Sequence, residues 1–146
     1  RNLIGDKENL KICLIEDDES LRFTIKEILE KQNVQIMEAE NGKIGIEILH
    51  NEEIKPDLIL LDLMMPVMNG FEFLKAIRET ELKSIPILVL TGAELSDDEK
   101  KFLSGETQRI LEKSEDTMST IVNEVSNVIK ASSFKNGDNK WQRYYM

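Results

Sequence analysis

Three uninterrupted apolar runs, Ile12-Cys13-Leu14-Ile15, Leu58-Ile59-Leu60-Leu61 and Ile87-Leu88-Val89-Leu90, constrain this chain more than any other feature. None alternates with polar residues, so each predicts a strand buried on both faces rather than one with a wet side. Val34 to Met37 and Arg109-Ile110-Leu111-Glu112 predict two further, less apolar strands. Helical spacing fills the intervals. Leu21, Ile25, Ile28 and Leu29 share a face, with Ser20 available as an N-cap. Ile44 and Ile48 mark a second helix, and Phe71, Leu74 and Ile77 a third. Ser96 followed by Glu99 has the form of a capping box for a fourth. Met118, Ile121, Val122, Val125, Val128 and Ile129 form a fifth stripe.

Five strands, each followed by a helix, imply an α/β fold: a doubly wound, five-stranded parallel sheet with helices on both faces. In such sheets ligands sit beyond the carboxyl ends of the strands, near a topological switch point. A chain of 146 residues supports one domain with a proper core. The expected organisation is a linker over 1–9, the domain over 10–131 and a tail or linker over 132–146. With 19 basic against 28 acidic residues the net charge is -9, which disfavours direct contact with nucleic acid or an anionic membrane surface. The single cysteine, Cys13, reads as a small core residue, and no Cys/His cluster exists to hold zinc. No apolar run approaches the roughly 20 residues that span a bilayer. A cytoplasmic location is expected.

The residues at the strand ends carry chemistry. Glu16, Asp17 and Asp18 follow the first run, Asp62 the third strand, Thr91 the fourth and Lys113 the fifth. If the strands are parallel, these groups meet on one rim. Clustered carboxylates repel one another, and a divalent cation with a preference for oxygen, Mg²⁺, would relieve that cost. One carboxylate can then act as a nucleophile toward a phosphoryl group. Lysine and threonine would bind the phosphoryl oxygens.

Ile12 to Glu19, Asp57 to Gly70 (DLILLDLMMPVMNG), Leu88-Val89-Leu90-Thr91-Gly92 and Leu111-Glu112-Lys113 together resemble the receiver domain of two-component response regulators. The resemblance covers roughly residues 10–131, and the Asp57–Gly70 segment is its most specific part. It implies a flavodoxin-like, receiver-type (βα)5 fold with Asp62 as phosphoacceptor. It further implies Asp17 as direct Mg²⁺ ligand, Glu16 as the acid that holds the metal through water, and the backbone carbonyl of Met64 as another ligand. Thr91 resembles the switch hydroxyl, and Lys113 the residue that pairs with the phosphoryl group. Asp18 falls one place beyond the acidic pair and is expected in the loop.

The implied function is a phosphoacceptor module of a two-component phosphorelay, not itself an enzyme acting on a separate substrate. It would take a phosphoryl group from the phosphohistidine of a histidine kinase or histidine phosphotransfer domain. The stretch Leu95 to Ser114 is similar to receivers attached to hybrid sensor histidine kinases, so the chain reads as a fragment of one or as a stand-alone response regulator. Two positions depart from the family pattern. Ile110 stands where many receivers have an aromatic residue, and Ser114 follows Lys113 where a proline in a cis peptide is usual. These departures keep open a pseudo-receiver that binds partners without phosphorylation. An Mg²⁺-dependent phosphatase is disfavoured because Met64 stands where such enzymes need a second acid, and a flavin site lacks a phosphate-binding loop. His50 reads as a helix-end residue, and Met64, Met65 and Met68 as packing around the site. Trp141, Tyr144 and Tyr145 belong to the tail. With only 132–146 after the last helix, output is expected to pass through a partner, a further domain or the relay.

Overall fold

The computed structural model describes residues 10–51, 55–92, 94–107, 109–113 and 117–135. Strands β1 (Leu10–Ile15), β2 (Val34–Ala39), β3 (Leu58–Asp62), β4 (Ile87–Thr91) and β5 (Arg109–Glu112) form one sheet in the order β2-β1-β3-β4-β5. All four pairings are parallel. Helices α1 (Glu19–Glu30), α2 (Gly42–Asn51), α3 (Gly70–Ile77), α4 (Asp97–Glu106) and α5 (Thr117–Lys135) connect or follow the strands, with a short 3-10 turn over Glu81–Ser84. The chain steps outward from β1 to β2 and then returns across β1 to β3. The switch point therefore lies between the ends of β1 and β3.

The apolar runs are buried on both faces because alternate side chains serve two cores. Ile12, Leu14, Leu58, Leu60, Leu88 and Leu90 meet Ile25 and Leu29 of α1 and Ile121 and Val125 of α5. Cys13, Ile15, Ile59, Leu61, Ile87 and Val89 meet Leu49 of α2, Phe73, Leu74 and Ile77 of α3, and Leu103 of α4. Cys13 is thus a core residue, and His50 is exposed in the last turn of α2.

Several local details differ from the sequence expectation. Helix α1 is capped by Asp18, whose carboxylate accepts from Leu21 N–H at 3.1 Å, so Ser20 lies within the helix. The helix starts earlier because Asp18 is itself a strong cap and comes first, three residues after the end of β1. Strand β2 extends two residues past Met37, since it pairs with β1 along its whole length, from Leu10↔Val34 to Ile15↔Ala39. In α3 the fully buried aromatic is Phe73; Phe71 lies at the edge, its ring 6.3 Å from that of Phe102 on α4. Helix α5 runs on to Lys135, so Ser132 and Ser133 are helical. The 1–9 segment, the tail aromatics Trp141, Tyr144 and Tyr145, and Ser114 lie outside the described residues.

The loop from β3 to α3 is tightly built. Met68 N–H donates to Pro66 C=O at 2.7 Å, and Val67 between them has φ 68°. This is a γ-turn of the strained, positive-φ kind, and a β-branched residue is a costly occupant. Asn69 and Glu72 then close a reciprocal capping box at the start of α3. Gly70 sits so close to the end of β3 that a Cβ there would lie 2.7 Å from Asp62 C=O and 2.8 Å from Leu63 Cα.

Candidate functional site

The carboxyl ends of β1, β3, β4 and β5 bring Glu16, Asp17, Asp62, Thr91 and Lys113 to one edge of the sheet. Carboxylate oxygens of Glu16, Asp17 and Asp62 lie within 4.8 Å of one another, two of the residues buried and Asp17 exposed. Asp18 is not among them, because its carboxylate caps α1. Lys113 enters from β5, its position set by a bond from its N–H to Thr91 C=O at 2.8 Å. Its Nζ lies 3.1 Å from Glu16 Oε1 and 3.3 Å from Asp62 Oδ1. Thr91 is buried at the end of β4.

Each acid is held differently. Glu16 N–H donates to Ala39 C=O at 3.0 Å, continuing the sheet pairing, and Glu16 Oε2 accepts from Asp18 N–H at 3.1 Å. Asp62 Oδ1 accepts from Met64 N–H at a long 3.4 Å, whereas Oδ2 is buried without a hydrogen-bond donor. Met64 is 60% exposed, so it is not packed into the site as expected. Met65 is buried, and Met68 packs beside Gly42 of α2.

Burial in this cluster disfavours charge. It pushes Glu16 from its ordinary 4.5 up to about 7, with Asp62 adding repulsion and Asp18 N–H and Lys113 opposing. Asp62 is likewise raised, first by burial and then by the Asp17 carboxylate beside it, against the pull of Lys113. Burial would lower Lys113, but the carboxylates of Glu16 and Asp62 more than offset it, and its pKa is raised.

These shifts tie stability to pH. A raised carboxylate binds its proton more tightly folded than unfolded, so its stabilising contribution is complete below the ordinary value and lost as pH rises through the folded one. For Glu16 that window runs from 4.5 to about 7. The Lys113 contribution is lost only above its ordinary 10.5 and does not enter this window. Without divalent cations the melting temperature should fall as pH climbs from about 5 to 8, and saturating Mg²⁺ should flatten or reverse the slope. Thermal melts across that range check it; a cation-free melting temperature that rises with pH refutes it.

The donor set suits a hard divalent cation. It consists of carboxylate oxygens, contains no thiolate or imidazole, and includes the donor-free Asp62 Oδ2. The Lys113 ammonium pairs with two of the three acids, Glu16 and Asp62, so the cluster carries more negative than positive charge.

Comparison with known proteins agrees with this architecture. The chain is 38% identical over 85 residues to the transcriptional regulatory protein CpxR of Escherichia coli (strain K12), covering 58% of this chain and 35% of that protein. It is 40% identical over 92 residues to histidine kinase P4 of Formosa agariphila, covering 62% of this chain and 6% of the kinase. The chain thus spans only about a third of CpxR and far less of P4. The crystal structure of the phosphorylated cyanobacterial phytochrome response regulator RcpA superposes with a TM-score of 0.69 at 28% identity, covering 82% of this chain and 91% of that one. Residues 12–126 match the response regulator receiver domain family, taking in all five strands bar the start of β1 and everything between them. This chain therefore belongs to the response regulator receiver domains of two-component signalling.

Proposed function

We propose that Asp62 is the phosphoacceptor of this receiver and that Glu16 and Asp17 hold Mg²⁺ beside it. The observation that carries this reading is the meeting of three carboxylates and Lys113 across the β1–β3 switch point, with Asp62 Oδ2 left free of donors. An oxygen of Asp62 attacks phosphorus of a partner's phosphohistidine. The P–N bond breaks and the imidazole leaves with its electron pair. Lys113, already 3.3 Å from Asp62 Oδ1, is placed to bind a phosphoryl oxygen. Thr91, at the end of the next strand, offers a hydroxyl to another. When bound, Mg²⁺ would neutralise charge on the acids and the phosphoryl group; Asp17, Asp62 and the Met64 carbonyl would hold it directly and Glu16 through water.

The partner implied is a histidine kinase or phosphotransfer domain, and the kinship with histidine kinase P4 supports a hybrid-kinase setting alongside a stand-alone regulator. No described helix is long and apolar enough to cross a membrane, which fits a cytoplasmic site of action. Ile110, partly buried in the α2–α4 core, replaces the aromatic residue of other receivers, so any coupling to Thr91 must work without a ring. The direct test is intact-mass measurement after incubation with a small phosphoryl donor, with and without Mg²⁺. One phosphoryl group should be gained, only with the cation. No gain under any donor would favour the pseudo-receiver.

The two neighbouring aspartates should separate cleanly. Asp17→Ala should weaken Mg²⁺ binding about tenfold or more, the loss expected at or near a metal's ligands. Asp18→Ala should leave Mg²⁺ affinity little changed while costing about 1 kcal/mol of stability through loss of the α1 cap. Calorimetric titration and chemical denaturation measure both. Greater loss of affinity in Asp18→Ala would mean the acidic pair is placed wrongly.

A further inference from the structure

Arg22 stands one turn into α1, where its N–H makes a helical bond to Asp18 C=O at 2.8 Å. Its side chain is only 15% exposed and folds back over the start of its own helix. There Nη1 donates to the backbone carbonyl of Glu16 at 2.7 Å, and Nε donates to Glu38 Oε1 on β2 at 3.1 Å. Lys26, one turn further on, lies 3.6 Å from the other oxygen of Glu38. The guanidinium thus ties three elements together: the loop leaving β1, helix α1 and strand β2.

The tie falls on a particular bond. The Glu16 carbonyl belongs to the peptide that joins Glu16 to Asp17. Because that unit is planar, fixing its carbonyl restricts the direction in which Asp17 leaves the chain. Asp17 is exposed, yet a carboxylate oxygen of it lies within 4.8 Å of those of Glu16 and Asp62. On the near side, Glu16 is pinned to β2 through Ala39 C=O; on the far side, Asp18 is pinned by its cap. The peptide between is the one that Arg22 grips.

We propose that Arg22 is the positioning residue of the acidic pair: its guanidinium, anchored on Glu38, sets the Glu16–Asp17 peptide so that both carboxylates face Asp62. This rests on the reading of those acids as a metal site. Positioning and plain electrostatics predict opposite signs. Removing a cation from beside three carboxylates would strengthen binding of a divalent ion by Coulomb attraction alone. Losing a positioning group weakens it.

The experiment is titration of the purified chain with Mg²⁺ alone, by calorimetry, for the parent, Arg22→Met and Arg22→Gln. Both variants are neutral and similar in size, but only glutamine keeps donors that can reach a carbonyl. Arg22→Met should lose about tenfold in Mg²⁺ affinity, as outer-shell substitutions do, and Arg22→Gln clearly less. A role in stability alone would lower the melting temperature and leave affinity unmoved. Parent-like or tighter Mg²⁺ binding by Arg22→Met overturns the proposal while leaving the metal site intact. No Mg²⁺ binding by the parent overturns both. Arg22→Ala, also neutral and without donors, takes the place of the methionine variant if that one does not fold, with the same expectation.

Discussion

Asp62→Asn protein, incubated with Mg²⁺ and acetyl phosphate, should gain no phosphoryl mass while the parent gains one group per chain. The substitution keeps the volume of the side chain and removes only the nucleophilic charge, so the loss should be complete rather than partial. The same protein should also be more stable than the parent in the absence of divalent cations. Asp62 is buried among carboxylates, and its raised pKa reports that ionisation there is disfavoured. An amide relieves that repulsion, and Lys113 keeps its contact with Glu16 at 3.1 Å. A gain of about 1–2 kcal/mol, or a few degrees in melting temperature, is the expected scale. Intact mass and thermal melts on the two proteins measure both effects. Stoichiometric phosphorylation of the asparagine variant would place the acceptor elsewhere.

The second large effect concerns packing. Gly70→Ala should destabilise the fold by about 2–3 kcal/mol, although alanine is the better helix former. The new methyl would stand 2.7 Å from Asp62 C=O and 2.8 Å from Leu63 Cα. Those are backbone atoms of β3 and its continuation, so no side-chain rotation can make room. Gly105→Ala in α4 is the matching control, since a methyl there would meet nothing within 4 Å and the change should gain up to about 1 kcal/mol. Chemical denaturation of both variants decides the matter. Equal effects of the same sign would show that helix propensity, not the approach of α3 to β3, governs Gly70.

What could be read from the sequence was what repeats locally. Apolar runs marked the central strands because burial on both faces leaves no room for polar residues, and β5 lies at Arg109–Glu112 as expected despite its charged ends. The strand-end acids and Lys113 were legible because a parallel sheet must deliver its carboxyl ends to one edge. Choices between near-equivalent neighbours were not legible. Ser20 and Asp18 are both good caps, and only the place where β1 stops selects Asp18. Phe71 and Phe73 both fit a helical face, and the contact of Gly70 with β3 turns Phe73 inward. The Asn69–Glu72 capping box had a visible signature, Asn-x-x-Glu before an apolar stretch, and could have been found. Arg22 carried no signal, since its partners are a backbone carbonyl behind it and a glutamate on another strand.

The placement of Glu16 and Asp62 has a mechanical consequence. Ile15 pairs with Leu61, so the two acids occupy the next positions on hydrogen-bonded neighbouring strands. Parallel strands keep a spacing of about 4.8 Å that side-chain forces do not stretch. The sheet therefore works as a fixed-jaw calliper. The backbones that carry two like charges in its jaws cannot move apart, so short of side-chain rotation their repulsion is relieved by a proton, an ammonium or an arriving cation. When the charge between them changes, the jaws stay where they are. Any movement that accompanied such a change would then fall to what is mounted on them: the turns that follow β1, β3 and β4, and the helices those turns carry.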